Sequence, residues 1–207
     1  MMIKKYILYL LCLLCYGCSI NVGIDSNKNL EQPETEDLKL PNDVRWVTNS
    51  SEYKILCEQL YKNAWDNLAA TLKEADTQTA IIMDLDETVL DNSKYQIGLV
   101  KKNESYNPES WSIWVNLQEA ELVPGAKEFI DRVRTTNTRI IFLSNRMAKN
   151  ESPTIENMKR LQIYDESDIF LLRLDKEDKK HVRRAEAING TGRLQDIGPM
   201  KILGYFG

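Results

Sequence analysis

The chain has 207 residues, 27 of them basic and 31 acidic, for a net charge of −4. That length can bury a real core, as one domain with extra segments. There is no basic excess to suit nucleic acid, and no long acidic block to make a disordered tail.

Lys4 and Lys5 precede the apolar run YILYLLCLLCY, Tyr6 to Tyr16. A basic start followed by a short apolar stretch reads as a secretory signal, too short to span a bilayer comfortably. A buried core helix is the alternative, but no polar residue breaks the run. Gly17 before Cys18 fits a bacterial lipoprotein signal, so residues 1–18 are expected to be removed or anchored with a lipid on Cys18. Ordinary cleavage and secretion is the other outcome. Three of the four cysteines lie in this segment, and Cys57 alone cannot build an intramolecular disulfide framework. Residues 19–43 are polar and punctuated by Pro33 and Pro41, as in a flexible tether. The domain is expected over residues 44–207.

A long helix is predicted over about Ser51 to Glu74, where Tyr53, Leu56, Leu60, Ala64, Leu68 and Leu72 recur at helical spacing. Ala80 to Met83 reads as a buried strand. Pro108 opens a helix bearing Trp111, Trp114 and Leu117. Pro124-Gly125 precedes another, with Ala126, Phe129, Ile130 and Val133 on one face. Arg139 to Leu143 and Ile169 to Leu172 read as two more buried strands, separated by a helix from Ser152-Pro153. A charged helix is expected over about Lys176 to Ile188. Short apolar strands alternating with helices predict an α/β fold: a Rossmann-like parallel sheet with helices on both faces. Ligands bind such sheets beyond the carboxyl ends of the strands. Residues 92–123 are long for a loop and carry a helix, which predicts a small helical cap over that crevice.

The first strand runs into DLDET, Asp84 to Thr88. A carboxylate at a strand end can attack phosphorus and carry the phosphoryl group as an aspartyl phosphate. A second carboxylate two residues on points to the same side of an extended strand, so Asp84 as nucleophile and Asp86 as acid/base make a workable pair. Each carboxylate meets a phosphate charge at a cost of about 4 kcal/mol at ~4 Å and an effective dielectric near ~20. A divalent cation relieves this, and hard oxygen ligands select Mg²⁺. Thr88, Ser144 and Lys179 or Lys180 offer donors to the transferred oxygens. His181, the sole histidine, reads as a surface residue beside two lysines, and Trp111 and Trp114 as core or cap packing before base stacking.

Taken together these residues resemble the class C bacterial acid phosphatases, the secreted lipoprotein 5'-nucleotidase family of the haloacid dehalogenase superfamily. The matching pieces are WVTNSSEY (Trp46–Tyr53), AIIMDLDETVLDNSKYQ (Ala80–Gln96), ESWSIWV with ELVPGAKEFI (between Glu109 and Ile130), IIFLSNR (Ile140–Arg146) and KHVRRAEAI (Lys180–Ile188). The resemblance implies that Asp84 is nucleophile and metal ligand, and that Asp86 is acid/base and a metal ligand through its carbonyl. It further implies that Thr88, Ser144, Asn145 and Lys180 hold the phosphoryl group, with Arg183 completing a KxxR pattern. Tyr95, Trp111 and Trp114 would be cap residues that clasp a base. The implied reaction is Mg²⁺-dependent hydrolysis of phosphomonoesters, often nucleoside 5'-monophosphates, at the outer membrane or, failing anchoring, in a secreted or periplasmic form.

One part of the family pattern does not appear. The superfamily's fourth motif, an apolar strand followed by an acidic loop, has no counterpart in NGTGRLQDIGPMKILGYFG, residues 189–207, where Asp196 is the only acid. The expectation is therefore a sheet with its last strand or strands missing, a catalytic strand left as an edge, and a polypeptide with little or no activity. The competing reading is an inactive truncated surface lipoprotein that at most binds nucleotide. A phosphoprotein phosphatase is disfavoured by the signal segment and the cap.

Overall fold

The computed structural model describes residues 39–207. The expected signal peptide, Cys18 and the tether up to residue 38 lie outside these residues. Among the described residues no helix is long and apolar enough to cross a membrane.

A four-stranded parallel sheet forms the centre, in the order β5-β4-β1-β6. Its strands are β1 (Thr79–Met83), β4 (Arg139–Met147), β5 (Ile169–Arg173) and β6 (Lys201–Phe206). Alternation along β1 divides the core between the two faces. Ile81 and Met83 pack into one cluster with Leu72, Phe129, Ile130, Phe142 and Met158. Ala80 and Ile82 pack into the other with Ile141, Leu143, Leu171, Ala187 and Leu194. The first face is covered by α2 (Ser51–Lys73), α5 (Ala126–Val133) and α6 (Glu151–Arg160), the second by α7 (Lys180–Asn189). Helix α2 starts where Ser50 Oγ accepts the Tyr53 N–H at 3.2 Å, satisfying one of its free donors.

Two strands of two residues, β2 (Leu90–Asp91) and β3 (Glu121–Leu122), pair antiparallel and close the neck of an insert. The insert itself is α3 (Ser93–Lys102) and α4 (Pro108–Leu117). Asn107 caps α4 by accepting the Glu109 and Ser110 N–H groups, with Pro108 at the first helical position.

Three elements differ from the expectation. Helix α1 (Asn42–Asn49) precedes α2 inside the segment read as tether and domain start, and buries Val44. Helix α7 begins at Lys180 rather than near Lys176. There the side chain of Asp175 accepts the Glu177 and Asp178 N–H groups and Asp178 accepts that of Leu174, a local bonding pattern that competes with helix.

The third difference corrects the expected missing strand. KILGYF is a strand, and it pairs with β1 from Thr79↔Lys201 to Met83↔Phe206. The strand bearing Asp84 is therefore central, with β4 on one side and β6 on the other. The run escapes a sequence reading because Gly204 interrupts it and because most of its residues are only half-buried. A register shift between Ala80 and Ile81 absorbs one extra β6 residue. Phe206 then reaches the aromatic cluster of Tyr61 and Phe129, at ring-centroid distances of 6.4 and 4.8 Å.

Candidate active site

All four strands of the central sheet run the same way, so their carboxyl ends open on one crevice. Asp84 follows the last residue of β1. Its N–H donates to Phe206 O at 2.8 Å, its Oδ1 accepts the Leu85 N–H at 2.9 Å, and its Oδ2 accepts Lys180 Nζ at 2.6 Å. Both side chains are about a quarter exposed. A cavity of about 40 Å³ opens here, bounded by Asp84, Lys180, Arg184, Tyr205, Phe206 and Gly207. Gly207 has φ +125°, and a Cβ on it would lie 2.7 Å from Asp84 Cβ and 3.3 Å from Thr88 Oγ1. The end of β6 thus lies directly against the nucleophile candidate and Thr88.

After Asp84 the chain turns tightly. Leu85 O accepts the N–H groups of Thr88, Val89 and Leu90, and Glu87 takes φ +60°, a region that L side chains rarely adopt. The turn is braced from below by Tyr61, whose hydroxyl donates to Thr88 O at 2.6 Å. Burial pushes the Tyr61 phenol well above its ordinary range, and Cys57 and Tyr53 add to the rise. Glu87 is exposed as a residue, yet its carboxylate turns in to accept Asn92 Nδ2 at 3.0 Å. Loss of hydration pushes that carboxyl up, the Asn92 bond draws it back, and the Asp86 charge raises it again.

Asp86 sits in a dense set of donors. Its Oδ1 accepts Arg146 Nη2 at 2.8 Å, Arg146 Nε at 3.0 Å and Asn92 Nδ2 at 3.1 Å. Its Oδ2 accepts Ser144 Oγ at 3.2 Å. Ser144 is fully buried, and its oxygen also accepts the Arg146 N–H at 3.1 Å. In this arrangement the Ser144 hydroxyl orients Asp86. Asn145 next to it is exposed, with Oδ1 accepting Arg183 Nη2 at 2.9 Å.

Arg183 lies one turn after Lys180 on α7 and is 0% exposed. Its Nη1 donates to Ser144 O and to Leu171 O, tying β4 and β5 to the helix that delivers Lys180. Asp178 faces Arg183 and also accepts Arg193 Nη1 at 3.1 Å. Burial raises the Asp178 carboxyl, but the bonds from Arg193 and the Leu174 N–H and both guanidinium charges outweigh it. The net result lies below the usual carboxylate range.

The three aromatic cap candidates are placed differently. Tyr95 is 7% and Trp114 6% exposed. The Tyr95 hydroxyl bonds Ser110 Oγ at 2.8 Å, and Trp114 Nε1 donates to Asn92 Oδ1 at 2.9 Å. Trp111 is half-buried, edge-on to Tyr95 at 5.1 Å, with the Arg146 guanidinium 5.7 Å from its ring centre. Lys179 and His181 are exposed. Asp196 precedes β6 and is exposed; β6 runs parallel to β1, so Asp196 lies towards the opposite end of the sheet from Asp84.

Sequence reasoning passed over Asn92 and Arg146. Both stand within the motifs it used, LDNS and LSNR, but their contacts join residues up to sixty apart. The oxygens of Asp84 and Asp86 are hard donors of the type a small divalent cation takes. Among the described residues no third His, Cys, Asp or Glu joins them in a cluster.

A family model described as acid phosphatase, HAD superfamily subfamily IIIB, matches residues 15–192. The class C acid phosphatase from Bacillus anthracis with tungstate bound is 32% identical and superposes with a TM-score of 0.65, covering 79% of this chain and 66% of that one. A second structure of the class C acid phosphatase from the same organism is 31% identical at a TM-score of 0.62, covering 77% of this chain and 64% of that one. This chain therefore spans just under two thirds of the length of the structures it matches.

Proposed function

This chain belongs to the acid phosphatases of subfamily IIIB of the HAD superfamily, and from that premise we propose that it hydrolyses phosphomonoesters through Asp84. The observation that carries the reading is the 2.6 Å contact between Asp84 and Lys180, with Asp86, two residues on in the chain, bonded by Ser144 Oγ.

In the proposed reaction an Asp84 oxygen attacks phosphorus as the bond to the ester oxygen breaks. Asp86 gives its proton to that leaving oxygen, and an aspartyl phosphate remains. Water then attacks phosphorus, Asp86 takes its proton, and the Asp84–phosphorus bond breaks to release phosphate. Lys180 balances charge on the phosphoryl oxygens. Thr88, whose Oγ1 lies against the end of β6 beside Asp84, Ser144 and Asn145 are proposed as the further donors. A Mg²⁺ held by Asp84 and the Asp86 carbonyl would cancel the repulsion between carboxylate and phosphate. A nucleoside 5'-monophosphate suits the half-exposed ring of Trp111 in the insert. Attachment to an outer membrane through a lipid on Cys18, or release as a secreted form, is proposed on the signal-like sequence alone.

The test is Mg²⁺-dependent phosphate release from a nucleoside 5'-monophosphate, expected to be lost in Asp84→Asn. Turnover that survives this substitution would overturn the reading. A second reading, nucleotide binding without turnover, is favoured by the lack of a third acid grouped with Asp84 and Asp86 among the described residues. Calorimetric binding of the nucleotide by a chain that releases no phosphate would support it.

A further inference from the structure

We propose that Arg146 is a positioning residue, one that fixes the Asp86 carboxylate and ties its place to that of the insert. The inference rests on the reading of Asp86 as acid/base.

Arg146 is 1% exposed. A guanidinium buried this deeply is costly unless its donors are paired, and here they converge on the site. Nε and Nη2 both reach one oxygen of Asp86, Oδ1. Nη1 donates to Thr154 Oγ1 at 3.0 Å, and Thr154 in turn donates to Asn150 O at 2.7 Å. Nη2 also lies 3.4 Å from Asn92 Oδ1, the atom that accepts the Trp114 indole N–H. Together Arg146 and Asn92 put three donors on Oδ1, while among the described residues Oδ2 meets only the Ser144 hydroxyl. The two oxygens of Asp86 are thereby made unequal. Oδ1 is the anchored one, and Oδ2 is the one left to exchange a proton with the leaving oxygen or with water.

The same guanidinium touches the insert from two directions, through Asn92 before α3 and against the Trp111 ring on α4. A shift of the insert therefore reaches Asp86 through Arg146. Replacing Arg146 alone leaves the Asp86 charge without its partner, a destabilising change, so its role is read from the position of Asp86 and from kinetics rather than from stability.

The test combines kinetics on p-nitrophenyl phosphate with Mg²⁺ and crystal structures of the full chain and its variants. Arg146→Met should lower kcat about 100-fold, the effect of a displacement near ~1 Å, with KM changed less than about threefold. Its crystal structure should show the Asp86 carboxylate turned away while Asp84 keeps its place. Arg146→Lys should recover part of kcat. Thr154→Val, outside the crevice, removes one support of the guanidinium and should lower kcat by a smaller factor, deciding the matter if Arg146→Met does not fold. An Asp86 that holds its position in Arg146→Met, or a kcat unchanged in both Arg146→Met and Thr154→Val, would overturn the proposal. If the wild-type chain shows no turnover, the phosphatase reading fails separately, and the position of Asp86 in the variant crystals still decides the role of Arg146.

Discussion

Lys180 and Asp84 are 96 positions apart in the chain, and their side chains meet at 2.6 Å, Nζ to Oδ2. The contact depends on two placements. Strand β1 lies in the middle of the sheet and delivers Asp84 to its rim, and Arg183 fastens α7 to the carbonyls of Ser144 and Leu171 so that Lys180 reaches the same point. If Lys180 neutralises the phosphoryl group, Lys180→Met should lower kcat by about 10²- to 10³-fold, as for loss of one transition-state donor. Lys180→Arg should retain more of it. Steady-state kinetics of both variants, with circular dichroism to verify folding, checks this.

The cap aromatics should separate in their effects. Trp111→Ala should raise KM for a nucleoside monophosphate about tenfold, within the range of a lost base–aromatic stack, and leave KM for a small alkyl phosphate unchanged. Trp114→Phe removes the donor to Asn92 and should instead cost about 1 kcal/mol of stability, with similar effects on both substrates. Comparing KM for the two substrates in each variant distinguishes the roles.

Strand β6 should contribute measurably to folding. Phe206 is only partly buried, but its ring stacks on Tyr61 and packs at a tilt against Phe129. Phe206→Ala should cost about 2 kcal/mol, less than the ~3–5 kcal/mol of a fully buried Phe. Urea denaturation of the variant reads this directly, and an unchanged midpoint would mean that β6 adds little to the sheet.

Acid stability should depend on Asp178. Its carboxyl is held below the ordinary value in the folded chain. The contribution is therefore present above the unfolded value of about 3.9 and is lost as pH falls through the folded value below it. Asp178→Asn should destabilise by about 2 kcal/mol at neutral pH, the scale of hydrogen bonds to charged groups. The gap to wild type should narrow as pH falls from neutral to acid values below the unfolded one. Denaturation midpoints at both pH values test the sign.

Much of this protein is determined by local pattern. The apolar runs at Ala80–Met83, Arg139–Leu143 and Ile169–Leu172 announce buried parallel strands because both faces of each must be covered. The acids after the first run announce the crevice because nothing in folding alone favours them there. These signals lie within a few residues of one another, so they can be read without knowing what packs where. KILGYF could not be read this way. It is half-exposed and broken by Gly204, and its strand identity comes from the ladder β1 offers it. The same holds for Arg146 and Asn92, which are ordinary polar residues in the sequence and anchors of Asp86 only once β4 and the insert converge. Tertiary structure also decided among the aromatics, burying Tyr95 and Trp114 and leaving Trp111 half open. Sequence sets the periodicity and chemistry of each segment. Which donors fill which acceptor is a matter of long-range contact, and the chain settles that only when the sheet has formed.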